Sequence, residues 1–99
     1  MANRKIVWSK RAVSQFNRAI EYIGSVSLQN AEKVRDEILI KLISLEIHSE
    51  IHSPDKFKAN NNGNFRAFEL NKYRIAYHVT ETEIRILRVR HTSMEPKSY

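Results

Sequence analysis

Basic and phenolic side chains recur in the second half of the sequence at positions from which they could act on a phosphate. Lys56 and Lys58 lie in a long polar stretch, Arg74 in a run of alternating character, His91 just past a basic segment, and Tyr99 at the last position. Such a set suits one chemistry without a metal, the cleavage of RNA by attack of a 2′-hydroxyl on the adjacent phosphate. The reaction needs a group to take the hydroxyl proton and another to protonate the leaving oxygen. It also needs fixed positive charge beside the phosphorane-like transition state. Arg, Lys, His and Tyr supply all three, so Arg74, His91, Tyr99, Lys56 and Lys58 are the candidate catalytic residues. Arg66, Arg85, Arg88 and Arg90 are candidates for holding a nucleic-acid backbone.

Each has a plainer reading. If Asn71-Lys72 is a two-residue hairpin loop, Glu69 lies opposite Arg74 and the two form a cross-strand ion pair. Loop lysines are commonly solvated, and a histidine past a strand commonly caps or packs. Arg88 and Arg90 read equally as solvent-side arginines that discourage edge pairing. Tyr99, in a terminal tail, reads equally as a residue without fixed structure. Singly none decides; together they favour anion binding.

Other chemistries are poorly served. His48 and His52 have the spacing of a metal pair on a helix, but they fall at a helix end and no third ligand is spaced to join them, so no metal is expected. There is no cysteine, which excludes disulfides and thiolate sites. No glycine-rich phosphate loop is present, and no cofactor is expected.

The elements that must position these residues follow from period and punctuation. Residues 5–8, KIVW, suit a short strand. Ser9 then caps a helix on which Val13, Phe16, Ile20 and Ile23 recur at helical spacing, with Gly24 as its left-handed stop. Ser27 caps a longer helix with Ala31, Val34, Ile38, Leu42 and Leu45 on one stripe, which Leu39, Ile43 and Ile47 are expected to widen. Residues 48–64, with Pro54 and NNNGN, have no period and make a long loop. Three strands follow, FRAFEL, KYRIAYHV and EIRILRVR, joined by very short turns as an antiparallel meander. In the middle strand Tyr73, Ile75, Tyr77 and Val79 should face the helices, and Arg74, Ala76 and His78 the other side. The apolar parity slips between Ile86 and Leu87, which indicates a bulge or a strand buried on both faces. The fold class is α+β in the order β-α-α-β-β-β: an antiparallel sheet with a helical hairpin on one face and a second, open, basic face.

The 99 residues are one domain, because two cores would bury too little surface. No run is apolar enough to span a bilayer and no signal-like segment opens the chain, so a cytoplasmic protein with no membrane partner is expected. The formal net charge of +6 predicts attraction to polyanions or an acidic protein. The charge is segregated: residues 1–20, 56–68 and 84–94 carry bases and no acid, while acids concentrate from Glu21 to Asp55. One face should be strongly positive.

Three runs, IVWSKRAVSQFNRAIEYI, SLQNAEKVRDEILIKLISL and KYRIAYHVTETEIRILRVRHTSMEPKSY, together resemble the RelE/ParE superfamily of bacterial toxins from type II toxin–antitoxin systems. The likeness covers essentially the whole chain, and its most specific part is YRIAYHV followed by EIRILRVRHTSMEP. The resemblance implies a microbial-RNase-like fold, no small-molecule cofactor, and a cognate antitoxin, often acidic, that holds the toxin inactive. It implies one of two targets. RelE-like members enter the ribosome and cut mRNA; ParE-like members bind DNA gyrase and have no known nuclease activity. In the RelE-like case Arg74 matches the sheet arginine, Lys56 and Lys58 the loop bases, His91 the end-of-strand base, Tyr99 the terminal tyrosine, and Asp55 an acidic loop residue of some relatives. Met94 departs from the pattern, since relatives often carry arginine there. Because acid, base and phosphate groups are all present, the sequence leans toward the ribosome-dependent endonuclease. A gyrase inhibitor and a non-catalytic nucleic-acid-binding domain are the alternatives.

Overall fold

The helices start where a serine hydroxyl can take a free backbone N–H. Ser9 accepts from the Ala12 N–H at 3.1 Å and Ser27 from the Asn30 N–H at 3.1 Å. A computed structural model describes residues 4–49, 51–94 and 97–99 of the chain; Glu95 and Pro96 of the closing motif lie outside the described residues. The elements are β1 (Lys5–Trp8), α1 (Lys10–Gly24), α2 (Leu28–Ser44), β2 (Phe65–Leu70), β3 (Tyr73–Val79) and β4 (Glu83–His91). None of the described helices is long and apolar enough to cross a membrane.

The sheet order is β1-β4-β3-β2. The last three strands form the expected antiparallel meander, with Asn71 and Lys72 both at positive φ in the two-residue turn. β1 adds beside β4 in parallel, so the sheet is mixed rather than purely antiparallel. The helical hairpin between them supplies the crossover that parallel pairing requires. Ala12 and Phe16 of α1 and Val34, Ile38 and Leu42 of α2 pack on Ile75, Tyr77, Val79, Ile84, Ile86 and Val89. Burial at this depth pushes the Tyr77 phenol up to about 12, and its hydroxyl donates to the Ser49 carbonyl at 3.0 Å.

Leu87 is the bulge. Tyr77 pairs with Ile86 and Ala76 with Arg88, leaving Leu87 as an extra residue in β4. The insertion resets the parity, so Val89 continues the core side begun by Ile84 and Ile86, while Arg88 and Arg90 turn outward opposite Ala76 and Arg74. Its loose backbone groups are satisfied by α1: Ser9 Oγ donates to the Leu87 carbonyl at 3.1 Å, and Gln15 Oε1 accepts from the Val89 N–H at 2.8 Å.

Three local expectations change. Gly24 ends α1 without a left-handed residue; Ser25 caps in right-handed geometry and its hydroxyl donates to the Tyr22 carbonyl at 2.6 Å. Ile43 and Ile47 do not widen the buried stripe: they are 61% and 62% exposed, Ile43 because it lies off the face that carries Ile38 and Leu42, and Ile47 because it falls beyond the end of α2. Val13 is also exposed, and Ala12 takes the buried place beside Phe16.

Candidate functional site

The outer face of the sheet is roofed. The segment after α2 runs back along β2: the Asp55 N–H donates to the Phe65 carbonyl at 2.7 Å, the Ala67 N–H to the Ser53 carbonyl at 3.3 Å, and Pro54 bridges to Arg66. Asn61 pins the loop that follows. Its Nδ2 donates to the carbonyls of Phe65 (2.7 Å) and Asp55 (3.2 Å), and its Oδ1 accepts from the N–H groups of Gly63 and Phe65. Gly63 at φ 98 is the residue there that a side chain would strain. The tail then lies on this loop: the Ala59 N–H donates to the Tyr99 carbonyl at 2.6 Å and the Tyr99 N–H to the Phe57 carbonyl at 2.9 Å. The face expected to be open is thus covered at its centre, where Ala76 is 1% exposed, Asp55 2% and Arg88 9%.

Asp55 organises the centre. One carboxylate oxygen accepts from Arg74 Nη2 at 2.8 Å and from the Phe57 N–H at 3.1 Å; the other accepts from the Tyr99 hydroxyl at 2.5 Å. The N–H two residues on is the usual partner of an aspartate that opens a turn. Burial by itself raises the Asp55 pKa, yet the hydrogen bonds from Tyr99, Arg74 and Phe57 outweigh it and hold the carboxyl below the ordinary range. Tyr99 moves the other way: burial first, then its bond to the Asp55 carboxylate, push the phenol far up. Arg74 also reaches Glu69 at 3.1 Å, the cross-strand pair expected from the turn, and its guanidinium lies over Phe57 at 4.9 Å. Arg88 sits 4.1 Å from the Tyr99 ring centre and donates to the Lys97 carbonyl at 2.7 Å. Burial pushes its pKa down; Tyr99 and Asp55 oppose that.

The other sequence candidates are dispersed around this centre. Lys58 lies over Phe65 at 4.7 Å and over Tyr99 at 5.4 Å, and donates to the Ala59 carbonyl. Lys56 lies over Phe57 at the rim of a hollow of about 200 Å³ that Arg74, Arg88 and Arg90 also line. His91 borders the same hollow, but its Nδ1 accepts from the Ser93 N–H at 3.0 Å and its ring meets Tyr73 edge-on at 5.0 Å. Arg85 pairs with Glu83, farther along the sheet opposite His78. Arg66 lies on the helix side, opposite Tyr77, and donates to the His52 carbonyl at 2.6 Å. His52 stacks on Phe68, and among the described residues no three His, Cys, Asp or Glu side chains group as a metal would require. Sequence reasoning passed over Phe57 and Phe65, the rings that seat Lys56, Lys58 and Arg74. Their alternation with basic residues from Lys56 to Arg66 was the available signal.

Chemically the cluster is an ion-pair and hydrogen-bond network with one buried donor, Arg74 Nε, left without a hydrogen-bond partner. Arg74 spends both terminal nitrogens on carboxylates and Tyr99 spends its proton on Asp55. Arg88 makes no ion pair among the described residues and is the guanidinium best placed to accept an anion from the hollow.

Compared with known proteins, residues 6–96 match the family model described as the ParE toxin of the type II toxin–antitoxin system, parDE. The chain belongs to the ParE toxin family. No curated protein matches its sequence. Among solved structures, this ParE chain is similar to one described as the chromosomal ParDE toxin–antitoxin system from P. aeruginosa. The two share 16% identity at a TM-score of 0.67, over 89% of this chain and 95% of that one. At that identity the likeness shows a shared fold, and the ParE assignment rests on the family match.

Proposed function

We propose that this ParE-family chain is the toxin of a toxin–antitoxin pair, silenced by a cognate antitoxin, and that it poisons DNA gyrase without cutting RNA itself. The observation that carries this reading is the occupation of Asp55 by both Arg74 and Tyr99. A phenol with a strongly raised pKa, bonded to a carboxylate, is a reluctant proton donor and not a base. An arginine whose two terminal nitrogens are held by Asp55 and Glu69 leaves a transition state only its buried Nε–H. Gyrase as the target is supported by membership of the ParE family, whose RelE-like cousins share the fold but not the target.

A second reading, the ribosome-dependent mRNA endonuclease that the sequence favours, has one observation behind it. Arg88 is a buried guanidinium without a carboxylate partner among the described residues, in a hollow with Lys56 and Arg90. Two assays separate the readings. In a translation reaction of purified components, primer extension on a defined mRNA should find no new 5′ ends. With purified gyrase, the protein should inhibit supercoiling and accumulate broken DNA. Discrete ribosome-dependent cuts that vanish in Arg74→Ala would overturn the proposal in favour of the nuclease. Salt-sensitive binding to free RNA or DNA, with neither activity, would leave a non-catalytic binding domain.

A further inference from the structure

The loop that pins the roof carries a residue pair with a chemistry of its own. Asn62 is the one asparagine of the sequence that is followed by glycine. In such a pair the glycine nitrogen can attack the side-chain carbonyl carbon of the asparagine, because no Cβ on the second residue crowds the approach. Nucleophile and electrophile belong to adjacent residues, so the reaction is intramolecular. Asparagine counts among the thermolabile residues.

The fold leaves the electrophile open. Asn62 is exposed, and its Nδ2, the leaving group, makes no hydrogen bond among the described residues. Its Oδ1 accepts from the Asn64 N–H at 3.1 Å, a donor already aimed at the oxygen on which charge develops when the carbonyl is attacked. Beyond its chain neighbours, nothing lies within 4 Å of the place where a Gly63 side chain would begin, so the backbone there has room to turn. The nucleophile is held back instead. The Gly63 N–H donates to Asn61 Oδ1 at 2.8 Å, and that proton must leave before the nitrogen can attack. The neighbouring asparagines are worse placed. Asn61 has its own Nδ2 on the carbonyls of Asp55 and Phe65, and Asn60 and Asn64 precede residues that carry side chains, Asn61 and Phe65.

We propose that Asn62 is a self-modification site, at which the Gly63 nitrogen displaces the side-chain amide and water then opens the ring, and that Asn61 is the brake on this reaction. The Gly63 nitrogen gives its proton to hydroxide and bonds to Cγ of Asn62. The Cγ–Nδ2 bond breaks, and the departing nitrogen takes a proton from water and leaves as ammonia. Water then adds to the cyclic imide. Opening at the Cγ–N bond gives aspartate; opening at the bond from the backbone carbonyl carbon to nitrogen gives isoaspartate, with the chain running through the side chain. Nothing is oxidised or reduced. Either product places a carboxylate in residues 56–68, which carry bases and no acid. Isoaspartate also adds a methylene to the main chain between Asn61 and Gly63. That draws the Gly63 N–H off Asn61 and loosens the pin on the Asp55 and Phe65 carbonyls, so modification unseats the roof over Arg74 and Arg88.

The test incubates the full chain at mildly alkaline pH and follows it by peptide-mapping mass spectrometry. Isoaspartate is counted by transfer of a labelled methyl group from S-adenosylmethionine with an isoaspartyl methyltransferase as reagent. Modification should be confined to Asn62, yield both products, and rise with hydroxide concentration. Asn61→Ala should react about fivefold faster, the worth of one neutral hydrogen bond. Asn61→Asp keeps an acceptor for the Gly63 N–H and loses both donated bonds, so it should react no faster than the native chain. Hydrogen exchange at the Gly63 and Phe65 amides should quicken as the native chain ages and stay constant in Asn62→Ser. Circular dichroism establishes that each variant is folded. Modification spread evenly over Asn60, Asn61, Asn62 and Asn64, or an Asn62 that reacts only in the urea-unfolded chain, would overturn the site. Equal acceleration in Asn61→Ala and Asn61→Asp would assign the rate to loop loosening and overturn the brake. Unchanged exchange in a fully modified chain would overturn the link to the roof.

Discussion

Asp55 is the residue on which the outer face turns, and its acidity makes it testable by pH. Its carboxyl is held below the ordinary range, so the stabilisation it supplies is complete above about pH 4 and is lost as pH falls through the depressed value. Tyr99 contributes with the opposite sign: its share is complete below about pH 10 and is lost as pH rises toward its raised value. Urea melts of the native chain should therefore lose stability toward both extremes, and Asp55→Asn should flatten both limbs. At neutral pH, Asp55→Asn should cost roughly 3 kcal/mol, because it leaves the half-buried Arg74 guanidinium without its shortest partner. Tyr99→Phe should cost only about 1 kcal/mol, since the two backbone bonds and the Arg88 contact remain. It also separates the functional readings: growth arrest on expression should survive Tyr99→Phe, and its loss together with ribosome-dependent cleavage would count for the nuclease. The sequence made Arg74 and Tyr99 visible as candidates by residue type. It could not show that both meet at Asp55, because that contact spans 19 and 44 positions and depends on a loop without period.

At the scale of elements, the bulge at Leu87 sets which way the arginine row points. Ser9 does two jobs there, capping α1 and holding the Leu87 carbonyl. Ser9→Ala should cost about 2 kcal/mol in thermal melts, more than an isolated cap is worth. Deleting Leu87 should leave the chain folded by circular dichroism, since Ile86, Arg88, Val89 and Arg90 then alternate without a break opposite Tyr77, Ala76, Ile75 and Arg74, with both arginines still outward. This feature was legible: the parity slip after Ile86 marks it in the bare sequence. The outer stripe of α2 was not. Ile43, and Ile47 just past the helix end, are apolar enough to read as core, yet a helix has one buried face and Ile38 and Leu42 fill it, with Leu45 at the cap. Replacing Ile43 or Ile47 by Gln should change stability by no more than about 0.5 kcal/mol. The caps at Ser9 and Ser27 and the Asn71-Lys72 turn could be read from single residues because each satisfies a local backbone demand.

Over the whole molecule, charge segregation survives folding: α1 carries Lys10, Arg11 and Arg18, and the outer face gathers Arg74, Arg88, Arg90 and the loop lysines. Association with an acidic partner should therefore slow by about tenfold or more between low and physiological salt, measured as an on-rate by stopped flow, while dissociation changes less. The architecture itself was readable from order and period, but the direction of β1 was not. Four residues cannot reveal a partner that lies far along the chain. That pairing also bears on timing. β1 docks in parallel on β4, and Ser9 bonds Leu87 across 78 positions. During synthesis β1 waits unpaired until β4, which begins at Glu83, has been made. Contacts this distant are intrinsically late to form. A chain interrupted before Glu83 has β1 unseated and lacks Arg85, Arg88 and Arg90, so the mature surface comes into being only once β4 has been made.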